Sequence, residues 1–201
     1  MNELVIGTKN RSKLKEIKEI FADLPLNCLD LSNFPNCVEV EEDGSSFEEN
    51  ARKKASGYAL QTGKWVLAED SGLVVPVLHG EPGIHSARYA GGHGNDNANN
   101  CKLLEALKNF PVEKRDAFYV CSAALANPRG EVVGSAEGKC FGTIIADYLG
   151  QGGFGYDPLF LVLEYHQTFG QLTSLVKHSI SHRCRALSLI RPSIWRNLIK
   201  T

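Results

Sequence analysis

The residues best suited to chemistry are carboxylates and cations placed in short clusters. Glu69, Asp70, Ser71 and Gly72 lie between two apolar segments and read as a tight turn that presents two carboxylates. Glu41, Glu42 and Asp43 place three more acids in a polar loop. Hard oxygen ligands of this kind suit Mg²⁺, which takes one or two carboxylates and completes its shell with water and phosphate oxygens. Acids in surface turns give the same pattern without binding a metal. Asp70, flanked by strand-like residues, is the better candidate of its pair.

A second cluster is cationic. Thr8, Lys9, Asn10, Arg11, Ser12 and Lys13 fall between a first strand at 4–6 and a first helix from Ser12. A strand-to-helix junction offers unpaired N–H groups and the positive end of a helix dipole, and so cradles phosphate. A solvated helix start gives the same sequence. Phe154, Gly155, Tyr156 and Asp157 close a glycine-rich loop; aromatics there can stack on a base. Lys177, His182 and Arg183 add cationic donors at a loop-to-helix junction.

Elements that position these groups follow from periodicity. Leu14, Ile17, Ile20, Phe21 and Leu24 recur at helical spacing up to Pro25, and a strand is expected near 28–31. Residues 32–44 read as loop. Ser45 and Ser46, each with Glu three residues on, signal a helix start, with Gly63 as its end. Strands are expected at 65–68 and 73–77, a helix at 95–109, and a hairpin at 117–126 and 131–145 around Asn127-Pro128-Arg129-Gly130. Residues 159–163 read as a strand. Ser181 is placed to cap a last helix that Pro192 should kink or split. Alternation of strands and helices makes the chain α/β.

Composition excludes several classes. Hydrophobic residues make up 43% of 201, enough for an ordinary core. A net charge of −1 argues against a general nucleic-acid binder. No apolar run is long enough to span a bilayer. Met1-Asn2-Glu3 enters a strand-like segment without the regions of a signal peptide, and the six cysteines form no C-x-x-C pair. Reduced, mostly buried thiols in a cytoplasmic protein are expected. Gly150 to Gly155 spell G-x-G-x-x-G, but a strand rather than a helix follows, so the dinucleotide reading fails. His85 and His93 read as solvated loop histidines.

Six segments occur in order: T-x-N-x-x-K at 8–13, S-F-x-E-N-A-x-x-K-A at 46–55, D-S-G-L at 70–73, P-G-x-x-S-A-R-Y at 82–89, G-G-F-G-Y-D-P at 152–158 and K-x-x-I-S-H-R at 177–183. Together they resemble the Ham1 family of inosine triphosphate pyrophosphatases, across nearly the whole chain. The resemblance implies a single domain over residues 1–201. Its fold would be a long twisted mixed β-sheet with helices in two lobes and the nucleotide site in the cleft between them. It implies a Mg²⁺-dependent hydrolysis of ITP, dITP or XTP to the monophosphate and pyrophosphate, which clears deaminated purines from the nucleotide pool. A homodimer with no nucleic-acid or membrane partner is implied too.

Carried over motif by motif, Asp70 would be the catalytic carboxylate, a metal ligand and proton acceptor, joined at the metal by Glu42 or Glu41, with Glu42 preferred. Thr8 to Lys13 would bind phosphate, with Lys54 facing it. Ser71, Phe154 to Asp157, Lys177, His182 and Arg183 would contact the substrate. Donors from His182, Arg183 or backbone would pair with O6 of hypoxanthine or xanthine and be left unpaired against adenine. Leu175-Val176, where family members more often carry acids, and Pro192 depart from the pattern. The G-G-F-G-Y-D-P and I-S-H-R segments argue against the related Maf-type pyrophosphatases. An intact Asp70 and Lys13 argue against a silent nucleotide sensor.

Overall fold

Leu4, Val5 and Ile6 are wholly buried and complete β1 (Asn2–Ile6) of a computed structural model that describes residues 2–92 and 94–200. The expected solvation of His93 lies outside the described residues, while His85 is exposed as expected.

α1 (Arg11–Ile20) starts at Asn10, whose side chain accepts the Lys13 N–H. It stops short of the expected Leu24, because the chain tightens into three-residue turns, Ala22 to Glu19 and Leu24 to Phe21. β2 (Leu26–Asp30) follows, and residues 32–44 are irregular apart from a short turn of helix at Leu31–Asn33 capped by Asp30. α2 (Phe47–Thr62) is capped by Ser46, which accepts the Glu49 N–H, and ends at Gly63 with φ +63°.

β3 (Val66–Val74) corrects the sequence expectation. Residues 69–72 are not a turn between two strands; they are the middle of one strand. Acidic residues suggest a turn when their partners are unknown. Here Glu69 meets the buried Arg183 and Asp70 the buried Lys54, which offsets the cost of burying them.

α3 (Asp96–Leu107), β4 (Asp116–Ala126) and β5 (Val132–Ile144) match expectation. In the hairpin turn, Asn127 Oδ1 accepts the N–H of Arg129 and Glu131. β6 (Phe160–Val162) and a short β7 (Gln167–Thr168) complete a seven-stranded sheet in the order β2-β1-β3-β4-β5-β6-β7. β1 runs parallel to β2 and β3, and β6 antiparallel to β5 and β7, so the sheet is mixed.

α4 (Ser174–Ile180) was not expected, and α5 (His182–Ile194) runs through Pro192 without splitting there. Only after Ile194 does the chain widen into a π turn, Trp195–Ile199. All six cysteines are free thiols, but only Cys121 and Cys140 are buried and Cys101 is exposed, so most are not core residues. Among the described residues no helix is long and apolar enough to cross a membrane.

The chain forms two compact units. The first comprises Met1–Asp70, Cys121–Gly138 and His182–Thr201; the second comprises Ser71–Val120 and Lys139–Ser181. In the first unit strand alternation sorts side chains into two cores. Leu4, Ile6, Leu67, Cys121 and Leu125 pack with Ile17 and Phe21 of α1 and Leu187 and Ile190 of α5. Val5, Val66, Ala68 and Ala124 pack with Ala51, Ala55 and Tyr58 of α2. The second unit has one core, centred on Tyr119, Phe160 and Phe169, with Tyr119 and Phe160 rings 4.8 Å apart.

Candidate active site

The two faces of β3 decide where its carboxylates go. Leu67 belongs to the α1/α5 core and Ala68 to the α2 core, so Glu69 continues the first face and Asp70 the second.

On the first face Glu69 is fully buried. Lys13 Nζ lies 3.0 Å from its Oε1, Arg183 Nη2 lies 3.4 Å from the same oxygen, and the Cys121 thiol donates to Oε2 at 3.4 Å. Arg183 Nη1 also bonds Glu16. Burial alone would raise the proton affinity of Glu69, but Lys13, Arg183 and Lys54 outweigh it and hold the carboxyl well below the usual range. Burial likewise works against the charge on Arg183, yet Glu69 and Glu16 keep it fully protonated.

On the second face Asp70 is 6% exposed. Asn50 Nδ2 donates to its Oδ2 at 3.1 Å, and Lys54 Nζ lies 3.4 Å from its Oδ1. Lys54 Nζ also lies 3.0 Å from Glu42 Oε2. Asn50 and Lys54 are one turn apart on the buried stripe of α2, where Ala51 and Ala55 let the helix approach the strand closely. Burial raises the Asp70 carboxyl above its ordinary value despite the opposing charges of Lys54 and Lys13, and Glu42 and Glu69 add to the rise. Burial also opposes the charge on Lys54, but Asp70 and Glu42 more than restore it.

Of the acidic loop, Glu42 turns to Lys54, Asp43 pairs with Lys53 at 2.8 Å, and Glu41 is exposed. Asp70 and Glu42 therefore converge on one point, now held by an ammonium group. Among the described residues no group of three or more potential ligands from His, Cys, Asp and Glu is assembled. Two carboxylates are within what Mg²⁺ takes from a protein.

The residues at 8–13 form the predicted junction. Thr8 Oγ1 accepts the Asn10 N–H at 3.2 Å, and Asn10 Oδ1 accepts the Lys13 N–H at 3.0 Å. Asn10 thereby caps α1 and leaves the remaining first-turn N–H groups without intrahelical partners. Lys9 pairs with Glu39 in solvent, a contact of little energy.

In the second unit Asp157 is 2% exposed and accepts the Phe154 N–H at 2.9 Å and Lys177 Nζ at 2.6 Å. Lys177 sits on α4, not in a junction, and its ammonium lies 4.9 Å from the Phe154 ring centre. Tyr156 is a core residue whose hydroxyl donates to Ser86 O at 2.8 Å, so Phe154 is the aromatic left at the loop surface. Gly155 donates its N–H to Asp96 Oδ2 at 2.7 Å, and its carbonyl accepts from Asn100 Nδ2 at 3.0 Å. Ser71 follows Asp70 in β3 and is half-buried. A cavity of about 470 Å³ is lined by Gly94, Asn95, Asp96 and Asn97.

Within the first unit, then, the structure brings Lys13 and Arg183 to Glu69, and Lys54 and Glu42 to Asp70. His182 is buried at the first turn of α5. Arg183, expected as a donor to a base, has both terminal guanidinium nitrogens on Glu16 and Glu69, because a fully buried cation needs counter-charges. Sequence reasoning missed Glu16, Asn50, Asp96 and Asn100. Glu16 follows Lys13 by one turn of α1 and Asn50 precedes Lys54 by one turn of α2, so helical spacing held the signal for both.

An open mixed sheet with helices packed on it, carrying buried ion pairs beside a capped helix start, defines an α/β protein. The chain belongs to the Ham1 family, whose model matches residues 4–193. It is 47% identical, over 98% of its length and 94% of the relative's, to a protein of Rhodopirellula baltica named dITP/XTP pyrophosphatase. A Clostridium perfringens protein of the same name is 48% identical, over 96% of this chain and 98% of its own. The solved Ham1 protein of Staphylococcus aureus superposes with a TM-score of 0.84 at 40% identity, covering 96% of this chain and 98% of that one. A HAM1 protein from Coxiella burnetii gives a TM-score of 0.87 at 36% identity, covering 98% and 100%.

Proposed function

We propose that this chain hydrolyses non-standard purine nucleoside triphosphates, ITP, dITP and XTP, to the monophosphate and pyrophosphate, and so removes deaminated purines from the nucleotide pool. The observation that carries the reading is the convergence of Asp70 and Glu42 on Lys54, in the same compact unit as the 8–13 junction. The names of the relatives support the substrate class.

Hydrolysis at phosphorus is achieved by positioning and by neutralising oxygen charge, with little covalent help. In this reading the first-turn N–H groups of α1 and the Lys13 ammonium take the phosphates, and Lys13 leaves Glu69 to do so. Lys54 stays charged through its carboxylate partners and faces the phosphate from α2. Asp70 accepts the proton of the attacking water. Asn50 fixes one carboxylate oxygen of Asp70. Mg²⁺ bound by Asp70 and Glu42 would supply positive charge to the phosphate oxygens.

The base is proposed to stack on the ring of Phe154. O6 would be read by a hydrogen-bond donor that adenine would leave unpaired. Each donor left unpaired by adenine costs about 1–3 kcal/mol, roughly tenfold or more in discrimination. A rate comparison with Mg²⁺ tests this: ITP, dITP and XTP should be turned over at least about tenfold faster than ATP, CTP and UTP. Equal rates on ITP and ATP would refute the base selection.

A further inference from the structure

A loop can distinguish purines only if its backbone is held still while the base is bound. In the second unit the holding groups stand on α3. Asp96 is the first residue of that helix, and its Oδ2 accepts the Gly155 N–H at 2.7 Å. Asn100, one turn later on the same face, donates Nδ2 to the Gly155 carbonyl at 3.0 Å. Two side chains of one helix thus grip both backbone groups of a single residue. Asn95 caps the helix through the Ala98 N–H and fixes the turn that carries Asp96.

The gripped residue sits in the left-handed region at φ +63°, with open space where a side chain would go, so its conformation rather than crowding favours glycine. The preceding N–H, that of Phe154, is held from the other side by Asp157. The peptide units on either side of the Phe154 Cα are therefore tied at the Phe154 and Gly155 N–H groups, to Asp157 and to α3. Asn100 is 2% exposed, whereas Asp96 is exposed and lines the 470 Å³ cavity.

We infer that Asp96 and Asn100 are positioning residues for purine selection, acting by clamping the Gly155 backbone and so fixing the Phe154 ring. The inference rests on the reading that Phe154 contacts the base. Neither residue touches the reacting atoms, so loss of the clamp weakens base binding and leaves the chemical step nearly intact.

The test uses the full chain with Asp96→Ala, Asp96→Asn and Phe154→Ala. Asp96 is exposed, so its variants should fold. Asp96→Ala should speed amide exchange at Gly155, raise KM for ITP about tenfold with kcat changed less than about twofold, and lower the ITP-to-ATP ratio of kcat/KM about tenfold. Asp96→Asn keeps an acceptor oxygen and should restore all three. If Phe154→Ala leaves KM and the ratio unchanged, the base-contact reading fails, and this inference with it. If Phe154→Ala raises KM but Asp96→Ala does not, although Gly155 exchange is faster, the clamp alone is overturned. Equal losses in Asp96→Ala and Asp96→Asn would overturn it as well, because the charge and not the hydrogen bond would then matter.

Discussion

Glu69 and Asp70 are consecutive residues of β3, yet Lys13 Nζ lies 3.0 Å from Glu69 and Lys54 Nζ 3.4 Å from Asp70. Strand alternation sends the two carboxylates into different cores of one unit. Glu69 is wholly enclosed between two cations. Asp70 keeps a share of exposure and has Glu42 beside its lysine. The first acid is placed to hold its partners, and the second is the one proposed to act.

Replacing Asp70 by Asn keeps the shape and removes the proposed proton acceptor. Turnover of ITP should fall by about 10²–10⁴-fold, the range of a lost general base. Binding of ITP, measured by calorimetry on the same variant, should persist. A near-native rate would take Asp70 out of the mechanism.

Arg183→Ala leaves Glu16 and Glu69 buried without their guanidinium. Breaking a buried pair on one side costs about 3–5 kcal/mol, so the urea midpoint should drop sharply. An unchanged midpoint would show that Arg183 does not brace α5 against α1 and β3.

Glu42 and Glu41 separate the metal assignment. Glu42→Gln should raise the Mg²⁺ concentration for half-maximal rate by about 10–100-fold, whereas Glu41→Gln should leave it alone. The reverse order would move the second ligand to Glu41.

Glu49 supplies a test of the fold by pH. Its carboxylate accepts the Ser45 N–H at 2.9 Å and pairs with Lys53, which holds its pKa down at about 2. A carboxyl depressed in the folded state stabilises it fully above the unfolded value of 4.5 and loses that effect as pH falls through about 2. The stability gap between wild type and Glu49→Gln should therefore be constant from pH 7 to 5 and close between 4.5 and 2. A gap that stays open at pH 2 would mean that packing, not charge, separates the two.

The sequence made much of this legible because local rules agree with the fold. Ser46 and Gly63 bound α2, and Asn127 to Gly130 turn the β4–β5 hairpin, each through a side chain or glycine acting on its own neighbourhood. What failed to show was whatever depends on partners far along the chain. Glu69 and Asp70 look like a turn until Lys13, Arg183 and Lys54 are placed beside them. Arg183 reads as a donor for ligand because its partner Glu16 is 167 residues away. Asp96 and Asn100 look like helix-start polar residues, and only the fold brings Gly155 to them. Pro192 should break a helix, but apolar packing of Ile190, Ile194 and Leu198 carries α5 past it.

Water is proposed to attack the α-phosphorus of a 6-oxo purine triphosphate. Hydrolysis of ITP with Mg²⁺ in ¹⁸O-labelled water, with the products analysed by mass, tests this step. Inosine monophosphate carrying one labelled oxygen and unlabelled pyrophosphate are expected in equal amount. Orthophosphate as the released product, or label in the pyrophosphate, would contradict it.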